Sequence, residues 1–462
     1  MNKLPAKLNK LAEIVRENGG RALLVGGCVR DALMNIEPKD FDVEVYGIEP
    51  QKLREILDKL GKVDAVGEAF TVYKIGQNLD VSLPRRERKT GRGHRGFTIE
   101  GDPQMSFDEA CRRRDFTINA ILQDPLTDEI IDPFGGRRDI EQELIRVVAA
   151  DTFVEDSLRV LRAAQFAARF EFEIEPETAE LCSSIDLSDL PKERIWGEFE
   201  KLLLKAEKPS IGLRRFYDLK VAEKLFPELT ALVGVPQQEE WHPEGDLDVH
   251  TLLVVDEARK LIGDLSYPKQ VAVMLGALCH DFGKPSTTRF FEGAWRSHGH
   301  DEAGVKPTIS FLDRLGIFTL DGYDVREQVI ELVRNHLRPG EFYKTKPGDG
   351  AFRRLARQVE PDLLYRVAKA DSLGRNAPWL PKEKWKTAEA QEWFIEKVRE
   401  LNVEREAPKP ILMGRHLIEL GLKPSPRFKQ ILDAVYEMQL DGRLNALEDA
   451  LKAAEAIIET TN

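Results

Sequence analysis

The sequence predicts an α+β chain: a small N-terminal α/β head followed by a mostly helical neck, body and tail. Residues 21–47 read as a buried strand, a Gly-Gly turn into a short helix, and a half-buried strand of alternating character, Phe-Asp-Val-Glu-Val-Tyr. From Asp151 onward the apolar residues recur at helical spacing with few β-branched runs, first over Val154 to Phe170 and then over Glu193 to Lys205. Between these regions, residues 71–75 and 79–83 have strand character. The stretch from Val233 to Asp248, with Gly, Pro, Gln-Gln-Glu-Glu and a Trp-His-Pro-Glu-Gly cluster, reads as a linker. Further breaks fall at 346–350, 376–382 and 406–410. The expected divisions are a head over 1–150, a neck over 151–237, a body over 238–375 and a tail over 376–462.

The 462 residues are 42% apolar and 32% charged, which suits several packed domains and excludes a disordered chain. The longest apolar stretch, Val271 to Cys279, falls well short of the roughly 20 residues a membrane helix needs. Residues 1–15 lack an apolar core segment and a small-residue cleavage site, so no signal peptide is expected. Cys28, Cys111, Cys182 and Cys279 form no CxxC pair; reduced thiols and a cytoplasmic location are expected. A net charge of −12 counts against nucleic acid in sum, because phosphate binding is driven by Lys and Arg. The distribution points the other way. Six Lys/Arg against one Glu lie between Arg85 and Arg95, and Arg112, Arg113, Arg114, Arg137, Arg138 and Arg146 follow.

Gly26 and Gly27 close the first strand and open a helix, where backbone N–H groups can approach a phosphate that a Cβ would block. Arg30 and Asp31 follow within the next turn, and Arg30 is expected to seat a triphosphate together with Gly26 and Gly27. Asp40 and Asp42 are two residues apart on a predicted strand, so both carboxylates project from one face and can share a metal ion. Paired hard oxygen ligands beside a triphosphate are what phosphoryl transfer with Mg²⁺ requires. Glu44 continues that face, and Asp80 on a neighbouring strand is a candidate third carboxylate. Taken singly, a Gly-Gly turn or an Asp-x-Asp pair is an ordinary structural feature.

Together these motifs resemble the class II tRNA nucleotidyltransferases of the polymerase-beta-like superfamily, and the resemblance continues along the chain. Arg113-Arg114-Asp115, followed by Phe-Thr-Ile-Asn-Ala with Asn119, is similar to the family's Arg-Arg-Asp motif, which implies contacts to the nucleotide sugar and phosphates. Asp132 to Asp139 is similar to its interdomain hinge motif. Glu155-Asp156-Ser-Leu-Arg159, with Arg162 after it, resembles its nucleobase-reading motif, and Glu193-Arg194 with Glu198 resembles the segment that braces that helix. Chemistry supports the base-reading assignment. Asp156 and Arg159, three apart on a predicted helix, offer an acceptor beside a donor. That pair matches the amine and bare ring nitrogen that cytosine and adenine both present, whereas guanine and uracil would leave like groups facing at about 1–3 kcal/mol each. In the resembled family a flexible loop in the position of 85–97, here with Gly91, Gly93 and Gly96, helps the switch from C to A addition; the bland alternative is a phosphate clamp.

In the body, His250, the pair His280-Asp281 and Asp371 follow the order that marks HD-superfamily phosphohydrolases, which this region resembles. Imidazoles and carboxylates from separate helices can enclose a divalent metal, and a metal-bound water is then a usable nucleophile. His298, His300 and His336 lie between these positions and are candidates to extend the site or bind phosphate. The resemblance implies CTP, ATP and the tRNA 3′ end as partners and no membrane. The implied activity is addition of C, C and A with release of diphosphate, plus hydrolysis of 2′,3′-cyclic phosphates or phosphomonoesters. The alternatives are CC-only or A-only addition, poly(A) synthesis, or an HD hydrolase with a non-catalytic RNA-binding front half. Gly414 to Arg427 looks like the helical C-terminal region of some family members.

Overall fold

The computed structural model describes residues 6–61, 63–66, 72–89 and 97–460. They fall into two compact units, Met1–Phe226 and Pro227–Asn462; the expected head and the expected neck up to Phe226 lie in the first, and residues 227–237 of that neck lie in the second. The Gly91, Gly93 and Gly96 segment lies outside the described residues.

The first unit contains β1 (Arg21–Val25), β2 (Phe41–Tyr46), β3 (Val63–Val66), β4 (Val72–Ile75), β5 (Leu79–Ser82), β6 (Arg85–Lys89), β7 (Phe97–Gly101), β8 (Leu122–Gln123) and β9 (Ile130–Ile131). Seven of them form one sheet in the order β3-β4-β5-β2-β1-β8-β9, while β6 and β7 pair as a separate hairpin. β2 runs antiparallel to β1 and parallel to β5, with Asp42 opposite Asp80. The unbroken apolar run of β1 is explained by burial on both faces. Ala22 and Leu24 pack with Leu8, Leu11, Val15, Leu53 and Leu57 of the helices Ala6–Glu17 and Pro50–Asp58. Leu23 and Val25 meet Met105, Ala110 and Cys111 on the other side. The two-residue period of β2 sends Val43 and Val45 to the helical side and sets Asp42, Glu44 and Tyr46 on the opposite face.

The helix Leu158–Phe170 packs on the helices Lys192–Lys205 and Pro209–Asp218 through a stripe that includes Val160, Leu161, Ala164 and Ala167. In the second unit the helix Tyr267–Cys279 lies against Leu247–Lys260, Val325–Asn335 and Pro361–Leu373. Every residue from Val271 to Cys279 is buried there, which accounts for the apolar run. The helices Pro426–Leu440 and Leu447–Thr460 gather a separate apolar cluster around Leu417, Ile431 and Val435. Among the described residues no helix is long and apolar enough to cross a membrane.

Candidate functional site

Three groups on one face of β2 meet three environments. Tyr46 is buried in the apolar cluster and donates to Glu44 Oε2 at 2.8 Å. Glu44, 4% exposed, receives Arg113 Nη2 at 3.0 Å and Arg114 Nη2 at 2.9 Å on Oε1. Only Asp42 reaches the open end of the strand, and Asp40 lies exposed just ahead of it. Glu44 thus continues the Asp42 face as expected, anchors the Arg-Arg pair there, and lines a recess together with Asp42 and Asp80. Asp80 pairs with Lys74 at 3.1 Å. Protein mass around Asp42 pushes its carboxyl above the ordinary range, opposed by Arg114 and assisted by Asp80 and Asp40.

Gly26 turns the chain at φ 71° and ψ −131°, a region closed to residues with a Cβ, and a Cβ there would come 3.1 Å from Arg114 Nη1. The turn starts a cleft of about 470 Å³ whose wall includes Gly26, Gly27, Asp42, Arg114, Asp156 and Arg159. A second recess of about 400 Å³ shares Asp42, Arg114, Asp156 and Arg159 and adds Asp80 and Arg113. Behind the cleft runs a chain of charged and polar groups. Arg30, 3% exposed, donates to Asp31 at 2.5 Å and to Asn119 Oδ1 at 2.5 Å, and lies 4.6 Å from the Phe170 ring centre. Asn119 donates to Asp115 at 2.9 Å, and Asp115 takes Arg162 Nε at 2.7 Å. Arg162 also lies 3.7 Å from Glu198, which holds Lys201 at 2.8 Å. Burial would raise the Asp115 carboxyl, but Arg162, Asn119 and the Phe116 N–H hold it below its usual range. Arg30 thus lines the cleft with its donors turned to protein partners.

Asp156 stands one residue ahead of the helix N-cap Ser157, not on the helix, and accepts the Leu158 N–H at 3.2 Å. The predicted three-residue neighbour relation on a helix face is corrected accordingly. Its carboxylate is held by both Arg194 nitrogens at 3.0 and 2.9 Å. Arg159 donates to the carbonyls of Thr152 at 2.8 Å and Arg113 at 2.6 Å, which fixes the guanidinium while leaving further N–H groups for a ligand. The cleft wall also contains Gln165, Arg169 and Lys205, which sequence reasoning missed. Gln165 is 1% exposed with an unpartnered Nε2. Spacings of three, three and four along Arg159, Arg162, Gln165 and Arg169 would have put them on one face.

In the second unit, His250, His280, Asp281 and Asp371 converge, and His300 and His336 join them. His250 Nε2 lies 3.1 Å from Asp371 and 3.8 Å from Asp281; His280 Nε2 lies 3.1 Å from Asp281. His300 Nε2 is 3.2 Å from the other Asp281 oxygen and 3.2 Å from His336 Nε2. The Nδ1 atoms of His280, His300 and His336 face the carbonyls of Ala277, Ser297 and Val333 at 2.8, 2.7 and 2.6 Å. A carbonyl can only accept, so each Nδ1 carries a hydrogen and each Nε2 turns inward, toward Asp281 or a neighbouring imidazole. Two imidazole Nε2 atoms facing at 3.2 Å beside the buried Asp281 carboxylate form a donor set that fits a cation. Burial, with His300 and His280, lowers His336 to about 4 and keeps it neutral. Asp281 is held well below the carboxylate range against its burial by His280 and Lys284, whose Nζ is 2.8 Å away. Gly283 sets the spacing, since a Cβ there would lie 2.0 Å from the His300 carbonyl.

The stretch 233–248, expected as a linker, is built into this site. Glu244, 4% exposed, lies 2.7 Å from His250 Nδ1 and 2.9 Å from His242 Nδ1, and Gln237 receives Lys284 Nζ at 2.8 Å. Its turn composition hid the burial of one carboxylate. His298 is exposed and stays outside the cluster. All sets of three His, Asp or Glu ligand atoms lying within 4.8 Å of one another among the described residues are in this unit.

Three family models match: the poly A polymerase head domain over residues 22–146, a probable RNA and SrmB-binding site of polymerase A over 171–232, and the HD domain over 247–376. The chain is 37% identical to the multifunctional CCA protein of Xylella fastidiosa over 374 residues, 77% of this chain and 84% of the relative. It is 40% identical to that of Xanthomonas campestris pv. campestris over 371 residues, 76% and 85% of the two chains. In fold it resembles the Bacillus stearothermophilus CCA-adding enzyme in complex with CTP, with TM-score 0.65, 20% identity and 99% of both chains covered. It likewise resembles the Thermotoga maritima CCA-adding enzyme complexed with tRNA, with TM-score 0.59, 20% identity, and 99% and 97% covered. With the head, RNA-binding and HD models in this order and relatives matched over most of their length, the chain belongs to the multifunctional CCA protein family.

Proposed function

We propose that the chain adds C, C and A to the 3′ end of tRNA from CTP and ATP, releasing diphosphate, and that its HD unit hydrolyses 2′,3′-cyclic phosphates or phosphomonoesters. The observation that supports the first activity is the exposed Asp42 opening on a cleft whose other wall carries Asp156 and Arg159. Asp40 and Asp42 would hold Mg²⁺. Two carboxylates suffice, because Mg²⁺ takes its remaining ligands from water and substrate phosphate. Bound there, the ion would supply charge neutralisation at the triphosphate. The Gly26 and Gly27 amides, Arg113 and Arg114 receive the phosphates and sugar, while Arg30, Asn119, Asp115 and Arg162 hold the cleft wall in register. Asp156 accepts the base amine and Arg159 donates to the ring nitrogen. Transcripts ending at the discriminator, at C or at CC, incubated with labelled CTP and ATP together, should yield ends of CCA in every case, and labelled GTP or UTP should not be incorporated. Products stopping at CC, starting only from CC, or extending as A runs replace this reading with its partial or poly(A) alternatives.

In the HD unit, His250, His280, Asp281 and Asp371, with His300 and His336, would hold a divalent metal, which supplies an activated water when bound. Glu244 orients His250, so Glu244→Gln should weaken metal binding by roughly 10–100-fold without loss of fold, read by calorimetry of the metal titration. Unchanged affinity would remove Glu244 from the site.

A further inference from the structure

A cavity of about 690 Å³ adjoins the HD cluster, with His300 and Lys284 in its wall. Its wall also contains Trp241 and Trp295, 55% and 38% exposed. Two indoles beside a polar cluster are not core residues, since they keep large apolar faces in solvent. Their backbones are tied together through Gln238. Its carbonyl accepts the Trp241 N–H at 2.9 Å, and its Oε1 accepts the Trp295 N–H at 3.1 Å. Trp295 sits on the hairpin Arg289–Phe291 and Ala294–Arg296, edge to face with Phe290 at 5.3 Å, which limits its freedom. Arg296 and His298 add donors to the same wall.

We propose that this cavity is a nucleobase subsite in which Trp241 and Trp295 stack on the base of a nucleotide whose phosphate lies toward Lys284 and the His/Asp cluster. The inference rests on the reading of that cluster as a phosphate-ester site. A flat heteroaromatic base is the occupant that suits exposed indoles next to phosphate-directed cations, and stacking of this kind accepts any base. The HD unit is then selective for nucleotide ends over small phosphate esters, while indifferent to base identity.

The test is calorimetric titration of guanosine 3′-phosphorothioate, a slowly hydrolysed nucleotide whose base the head is expected to refuse, into the full chain with its divalent metal in place. Trp241→Ala and Trp295→Ala should each weaken binding roughly tenfold, with Trp295→Phe restoring most of it. Inorganic phosphate should bind more weakly and equally to all. Neither tryptophan belongs to the head, so a difference reports this cavity. Variants that bind the nucleotide as tightly as the parent, or a parent that binds it no better than phosphate, overturn the proposal. If nucleotide binding depends on the tryptophans but no divalent cation supports hydrolysis, the hydrolase reading fails and the base subsite stands.

Discussion

Asp42→Ala should lower incorporation of CTP and ATP into tRNA by roughly a thousandfold or more, while hydrolysis by the HD unit stays at the parent level. Asp42 is the one carboxylate of β2 that reaches the cleft, since Glu44 is consumed by Arg113 and Arg114. A metal in phosphoryl transfer contributes several kcal/mol to the transition state, and about 1.4 kcal/mol corresponds to tenfold in rate. The loss should not arise from unfolding. Asp42 sits among Asp80, Asp40 and Glu44, so its removal relieves like-charge repulsion, and the variant should melt at or above the parent temperature. His280→Ala combined with Asp281→Ala should give the mirror result, lost hydrolysis with intact incorporation. Incorporation by Asp42→Ala within tenfold of the parent would end the assignment of the head as a polymerase.

The second large effect concerns stability. Glu44→Leu leaves Arg113, Arg114 and the Tyr46 hydroxyl without their shared acceptor. Stranding a buried charge costs about 3–5 kcal/mol. The arginine side chains retain 21% and 19% exposure, so the lower end, about 3 kcal/mol, is expected. For a unit of this size that is a fall in melting temperature of roughly 6–12 °C. Glu44→Gln keeps a neutral acceptor and should fall less. Thermal melts of the three proteins check this; a Glu44→Leu protein as stable as the parent would mean that the arginines find other partners.

The sequence carried the head's framework because a two-residue period and a Gly-Gly turn are local signals. They located β1, β2 and the exposed Asp42. The same period made Glu44 look equivalent to Asp42, because spacing names a face but not what lies over it; Arg113 and Arg114, some seventy residues on, decide that. Periodicity extends the helix over Asp156, whereas it begins at Leu158 behind the N-cap Ser157, because a residue flanking an N-cap is not distinguishable from a helical one by spacing. Glu244 was hidden for a related reason. Turn residues signal an irregular backbone, and irregular backbone can still bury a side chain when two histidines wait for it. His300 and His336 were named as candidates, but only the helices' packing brings their Nε2 atoms to Asp281.

The line of groups from Asp31 through Arg30, Asn119, Asp115 and Arg162 to Glu198 links the helix Gly27–Leu33 to the helices Leu158–Phe170 and Lys192–Lys205. Parting those helices breaks hydrogen bonds and ion pairs whose members Arg30, Asp115 and Glu198 are buried, and so costs free energy at each link. The gap proposed to receive the nucleotide is consequently gauged by the protein in advance, as the jaws of a fixed caliper are set before the workpiece.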